Sequence, residues 1–308
     1  MVNYSKSIQH LLLNQGMKNI LWYVKLIRID HWVKNLFLFL PMFFAKRFLE
    51  HSLLTETFYG FISFCFMSSA VYILNDIYDK EEDANHPQKK YRPISAAAIT
   101  VTQAKSISLI CFIVSVSISF FLPSQFLIFL LCYAIINGIY NGLGFKQIPY
   151  LEVSLIASGF VIRVQSGGAI GNIPVSWWLN VLTFLLALFL ILAKRRGDVL
   201  LFTERKISVR KVAQIYNLKL LNFIIVFFAF MLVGCYVVYS VSGEVTTRFK
   251  TDKLFLSSVF VLAGMLRFLY LIFIQKKSGE PIEILWKDFF IQGILVLWIA
   301  FLFLLIYL

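Results

Sequence analysis

The sequence predicts an all-α polytopic membrane protein with about nine transmembrane helices and a cytoplasmic N-terminus. Three observations carry that expectation. The 308 residues have a mean hydropathy of +0.79 and only 15% charged side chains, far outside the range of soluble globular chains. Apolar runs that approach the thickness of a bilayer recur from one end to the other. Between those runs, the basic residues gather in alternate connections, as the positive-inside rule requires.

The N-terminal stretch from Tyr4 to Lys34 mixes cations with apolar residues at helical spacing. Leu21, Trp22, Val24, Leu26 and Ile27 alternate with Lys18, Lys25 and Arg28, the pattern of an interfacial helix. Residues 1–31 are assigned to that interfacial segment. A first span is expected around Trp32 to Ala45, short for the roughly 20 residues a bilayer asks of a helix. Further spans read as Phe58–Leu74, Ile107–Leu122, Phe126–Tyr140 and Leu151–Ile170. Trp177–Ala193, Leu220–Ser240, Leu254–Ile274 and Phe289–Tyr307 complete the set.

With the N-terminus inside, most of the 29 lysines and arginines fall on the inner side. Lys46, Arg47, Arg248, Lys250 and Lys253 fall outside, and Arg163 and Arg267 lie within spans. The net charge of +13 therefore reports topology and lipid contact, and no nucleic-acid partner is expected. Cys65, Cys111, Cys132 and Cys235 all sit in apolar runs, without disulfide or zinc spacing. No signal-peptide pattern opens the chain. The spans leave no length for a sizeable soluble domain, so residues 1–308 read as a single transmembrane unit.

Against this apolar background, Asn75 to Pro93 (N-D-I-Y-D-K-E-E-D-A-N-H-P-Q-K-K-Y-R-P) is the polar passage that demands an explanation. Asp76, Asp79 and Asp83 are three and four residues apart, so on a helix their carboxylates share a face, with Glu81 and Glu82 pointing elsewhere. Three like charges on one stripe repel one another, and a divalent cation relieves that repulsion. Hard carboxylate oxygens suit Mg²⁺, which binds through a few carboxylates and substrate phosphates. His86, Lys89, Lys90 and Arg92 follow at once, cations fit to hold such phosphates. The plainer reading is a solvated loop turned by Asn85 and Pro87.

Three further regions carry polar groups. Tyr140 to Arg163 holds Gly142, Gly144 and Pro149 around a bend whose cation is Lys146. Glu152 opens the next span, where a carboxylate needs a partner, and Arg163 lies about three turns deeper, roughly 16 Å from Glu152 along the helix. Intramembrane placement makes Arg163 a candidate for substrate contact, with an interhelical hydrogen bond as the structural alternative. Lys194, Arg195 and Arg196 stand together in A-K-R-R-G-D, suited to a phosphate monoester or to anchoring the helix. In R-I-D-H-W-V-K-N, Arg28, His31, Lys34 and Asn35 fall on one face at helical spacing.

The N-D-x-x-D-x-x-x-D run at the end of an apolar helix resembles the first aspartate motif of the UbiA superfamily of intramembrane prenyltransferases. H-P-x-K-x-x-R-P-I (His86 to Ile94), A-K-R-R and R-x-x-H-W-x-K-N are similar to the branch of decaprenyl-phosphate phosphoribosyltransferases. The likeness covers roughly residues 28 to 198. It implies a UbiA-type helical bundle in the inner membrane, with its active site facing the cytoplasm. It also implies transfer of a 5-phosphoribosyl group from 5-phosphoribosyl diphosphate to a polyprenyl phosphate, for cell-envelope polysaccharide precursors. By that resemblance Asn75, Asp76, Asp79 and Asp83 are catalytic, the aspartates holding Mg²⁺. Arg28, Lys34, Lys89, Arg92, Tyr140, Lys146, Arg163, Lys194, Arg195 and Arg196 are the expected substrate contacts. The expected partners are the two substrates and the bilayer, with self-association open.

One departure separates this chain from many aromatic prenyltransferases of the superfamily. They carry a second D-x-x-x-D where this chain has Glu152 as its one carboxylate between Asn141 and Lys194. The alternative readings are prenyl transfer to an aromatic acceptor, and a cation transporter whose ionisable groups would scatter at mid-membrane depth. The topology is open to direct measurement. In a background without the native cysteines, a cysteine at Asn172 or Thr246 should react with an impermeant label from outside. One at Gln88 or Ser208 should not, and external labelling at Gln88 would reverse the orientation.

Overall fold

Inside a bilayer a chain must satisfy its own backbone hydrogen bonds, and the apolar runs do so as helices. The computed structural model describes residues 20–86, 89–142, 144–205, 214–275, 284 and 286–308. Among them are eight helices long and apolar enough to cross a membrane. They are α1 (His51–Tyr78), α2 (Val101–Ser119), α3 (Ser124–Gly142) and α4 (Leu151–Ile170), then α5 (Trp177–Arg205) and α6 (Leu218–Val241). α7 (Ser258–Phe273) is entered through a 3₁₀ turn, and α8 (Phe289–Tyr307) closes the series. The spans expected at Leu151–Ile170 and Phe289–Tyr307 agree to the residue. α1 and α5 run well past their apolar runs: at 1.5 Å per residue, 28 and 29 residues extend about 42 Å, beyond a hydrocarbon core of about 30 Å. Of the interfacial segment, residues 20–27 are helical, and residues 1–19 lie outside the described part.

Consecutive helices pack side by side: α1 on α2, α3 on α4, α4 on α5, and α5 on α6. α4 is shared by two cores. On one side Leu38, Met42, Phe64, Phe126, Tyr133 and Ile170 enclose α1, α3 and α4. On the other, Ala157 meets Leu188, Phe189, Leu192, Ile225 and Phe268 of α5, α6 and α7.

The expected first span takes a different form. Ile29–Phe39 is a 3₁₀ helix that passes into a five-residue α-helix, Leu40–Phe44. Eight helices, rather than nine, therefore have the length of a span among the described residues. The segment still links both ends of the bundle. Arg28 at its start reaches Asp76 near the end of α1, while Arg47 past its finish donates to Gly171 O, beside Leu53 near the start of α1. A 3₁₀ residue advances about 2.0 Å and an α residue about 1.5 Å, so eleven of the first and five of the second cover roughly 30 Å.

Close approach to α4 holds this segment in place. A Cβ on Gly167 would stand 2.0 Å from the carbonyl oxygen of Leu38, so only glycine admits the backbone there. Gly167→Ala should therefore lower stability by roughly 1–3 kcal/mol through overpacking. Thermal unfolding in detergent measures it, and an unchanged midpoint would mean that the segment does not seat on α4 in solution.

A candidate active site at the end of α1

The carboxylate stripe survives the end of its helix. α1 stops at Tyr78, with Asp79 as cap, and a short helix Lys80–Ala84 follows. Asp79 N donates to Asn75 O and Asp83 N to Asp79 O, so the helical hydrogen-bond rhythm carries through the joint. Asp76, Asp79 and Asp83 are all buried, at 1%, 3% and 1% exposure, whereas Glu81 and Glu82 face solvent. That is the one-face arrangement expected from the spacing.

Buried carboxylates need compensating charge, and here it comes from three other segments. Arg28, leading into the 3₁₀ helix, donates to Asp76 Oδ1 at 2.5 Å. Arg92 donates to the same oxygen at 3.1 Å and also pairs with Asp83 Oδ2. Lys146, between α3 and α4, reaches Asp79 Oδ1 at 2.5 Å, and Lys89 stands 4.0 Å from Asp83. Four of the expected substrate contacts are thus gathered on the three aspartates. His86 is buried next to them; burial, and then the charge of Lys89, push its imidazole down to about 4, so it is neutral at pH 7.

A cavity of about 500 Å³ opens beside Asp76, lined by Lys25, Arg28, His31, Lys89 and Arg92 together with Asp30. A 3₁₀ helix repeats every three residues, which aligns His31 and Lys34, and Arg28 caps its start. All three lie against Tyr72 of α1, one turn before Asp76: Arg28 stacks over the ring at 5.1 Å and Lys34 at 5.7 Å. Lys34 Nζ also meets His31 Nδ1 at 3.1 Å. Asn35 turns inward instead. Lys25 was counted in the sequence only as an inner-side cation, although its place three residues before Arg28 was visible.

Several other expected contacts have partners inside the bundle. Arg163 is buried and donates to Asn35 Oδ1 at 2.7 Å, Gly159 O at 2.9 Å and the Tyr133 hydroxyl at 3.0 Å. Those bonds tie the 3₁₀ segment to α3 and α4, the interhelical arrangement that was the structural alternative for Arg163. Arg195 and Arg196 are likewise turned into the bundle. Arg195 donates to Glu152 Oε2 at 2.8 Å and to Asp198 Oδ2 at 2.7 Å. Arg196 donates to Asn222 Oδ1 and to Ile272 O, both at 2.7 Å. Tyr140 and Tyr216 donate to Glu152 at 3.3 and 3.2 Å, so Glu152 has its partner in Arg195 and Tyr140 is a support. The A-K-R-R-G-D element lies inside α5, and Lys194 is half-buried beside the two arginines.

Among the described residues no three acidic, histidine or cysteine side chains converge as a ready metal cluster. The aspartates instead hold cations. The donor set still fits a hard divalent ion: three buried carboxylates, together with Asn75 Oδ1, a buried acceptor that has no hydrogen-bond partner.

Such a face, acidic at its centre and basic around its rim, is suited to phosphorylated ligands, and residues 36–280 match the UbiA prenyltransferase family. The chain belongs to that family and is a multi-pass membrane transferase. It is 27% identical over 286 residues to the decaprenyl-phosphate phosphoribosyltransferase of Mycolicibacterium smegmatis, covering 90% of each chain. The Corynebacterium glutamicum protein of the same name is 30% identical over 209 residues, 65% of this chain and 61% of that one. A solved UbiA homolog from Archaeoglobus fulgidus, bound to GPP and Mg²⁺, shares the fold with a TM-score of 0.69 and 20% identity, over 93% of this chain and 100% of that one.

The framework assignment is testable at Arg195. Removing its guanidinium leaves Glu152 ionised in an apolar interior, which costs about 3–5 kcal/mol. Arg195→Ala should therefore lose folded yield in detergent, with Arg195→Lys rescuing only partly because a lysine cannot serve both carboxylates as a fork does. Full stability in Arg195→Ala would return that arginine to the list of substrate contacts.

Proposed function

We propose that this transferase moves the 5-phosphoribosyl group of 5-phosphoribosyl diphosphate onto a polyprenyl phosphate, at the cytoplasmic face of the inner membrane. The observation that carries the reading is the basic cavity adjoining the aspartates. The donor has a diphosphate and a separate 5-phosphate, so it asks for an acidic, metal-binding half and a predominantly basic half. Asp76, Asp79, Asp83 and Asn75 supply the first; Lys25, Arg28, His31, Lys89 and Arg92 supply the second. A prenyl diphosphate has no second phosphate for that cavity. The relatives named decaprenyl-phosphate phosphoribosyltransferase support the same choice.

Magnesium, held by the aspartates and Asn75, would neutralise charge on the departing diphosphate. The chain's own residues do the rest. Arg92 and Lys146, now on the aspartates, are the cations within reach of the donor's phosphate oxygens. As the bond from the anomeric carbon to the diphosphate breaks, the diphosphate leaves with the electron pair and the carbon gains oxocarbenium character. An oxygen of the lipid phosphate then bonds to that carbon. The acceptor is already an anion, so no general base is required. Lys34, beside Tyr72, would then hold the lipid phosphate.

Purified protein given Mg²⁺, polyprenyl phosphate and 5-phosphoribosyl diphosphate should release diphosphate and form a lipid carrying phosphoribose. With an isoprenyl diphosphate and 4-hydroxybenzoate it should form nothing. Asp76→Ala, Asp79→Ala and Asp83→Ala should each lower turnover by at least 100-fold, while Glu81→Ala and Glu82→Ala remain active, because only the first three lie on the buried face. Prenylated aromatics in the assay would overturn the donor assignment.

A further inference from the structure

The basic residues that break the positive-inside pattern have a common destination. Arg47 is occupied by Glu50 and by Gly171 O. The remaining four, Lys46, Arg248, Lys250 and Lys253, come together at the end of the bundle opposite the aspartates. Lys46, Lys250 and Lys253 line a cavity of about 910 Å³ there, with Thr246 and Thr251 adding hydroxyls and Asp252 as the one carboxylate side chain in its lining. Lys46 and Arg248 both lie over the Phe249 ring, at 5.9 and 6.0 Å. None of these four cations is ion-paired among the described residues, in contrast to the cations at the aspartate site.

The cavity has an apolar wall as well as a basic rim. Leu304, Leu305 and Ile306 of α8 form that wall. Behind it Val245, Phe249, Leu254 and Leu302 build a buried core with Tyr236 and Tyr239 of α6. Tyr307 fastens the wall to the turn that carries Lys46: its hydroxyl donates to Phe43 O and accepts from Phe48 N. Lys46 and Lys250 have φ of 60° and 57°, each in the left-handed turn that ends a short helix, where glycine is the comfortable residue.

We infer that this cavity binds the phosphate headgroup of an anionic lipid. Its oxygens would meet Lys46, Lys250 and Lys253, and its chain would lie along Leu304–Ile306. The site is separate from the transferase site and does not depend on its substrates.

The test uses the full chain in detergent, with bound lipid counted by native mass spectrometry and stability followed by thermal unfolding. Phosphatidylglycerol should be retained and should raise the unfolding midpoint; phosphatidylcholine with the same chains should do neither. The double variant Lys46→Gly/Lys250→Gly removes two charges and relieves the left-handed strain, so it folds at least as readily as the parent. It should retain one phosphatidylglycerol fewer and bind that lipid at least fivefold more weakly, with Lys253→Gln showing a smaller loss. Equal retention by parent and double variant would overturn the site. Inorganic phosphate giving the same stabilisation as phosphatidylglycerol would overturn its assignment to a lipid.

Discussion

Three carboxylates on one buried helix face need compensating charge, and the fold of the site follows from that constraint. Each aspartate reaches a cation that belongs to a different stretch of chain: Arg28 before the 3₁₀ segment, Arg92 after the acidic loop, Lys146 between α3 and α4. The ion pairs therefore do structural work across long sequence separations. They fix the entry of the N-terminal segment, hold Arg92 against the end of α1, and draw the α3–α4 connection to the same place. Arg92 bridges two aspartates at once, so the acidic loop is closed on itself as well as on the helix.

A second buried charge group sits close by and serves a different end. Glu152, Arg195 and Asp198, with Tyr140 and Tyr216, connect α3, α4, α5 and the approach to α6. Here acid and base satisfy one another in a closed network, and low dielectric makes such a network rigid when every member has a partner. The aspartate site differs: its cations border an open cavity, and Asn75 Oδ1 remains without a partner. Closed pairing gives a scaffold; pairing at the edge of a cavity leaves groups that can change partners when an anionic ligand arrives.

Much of this was legible in the sequence, and the exceptions share a cause. The stripe of Asp76, Asp79 and Asp83 could be read from three- and four-residue spacing because helical geometry is local, and the exposure of Glu81 and Glu82 followed with it. α4 and α8 could be bounded because their apolar runs end abruptly. What stayed hidden was the identity of distant partners. Arg195 and Arg196 looked like phosphate ligands in K-R-R, yet the carboxylate that claims Arg195 lies 43 positions away and the asparagine that claims Arg163 lies 128 away. Composition could not distinguish a 3₁₀ segment from a short α-helical span either, since both are apolar runs.

That winding constrains how the N-terminal segment can change over generations. In a helix of three residues per turn, inserting or deleting one residue swings everything beyond it by about 120°. Arg28, His31 and Lys34 would no longer stack on the same side, and Asn35 would lose its place before Arg163. A change of three residues restores the facing but displaces the far end by about 6 Å, away from the pocket that Gly167 leaves for Leu38. Neither the angular nor the axial register has slack for a change of length along this stretch.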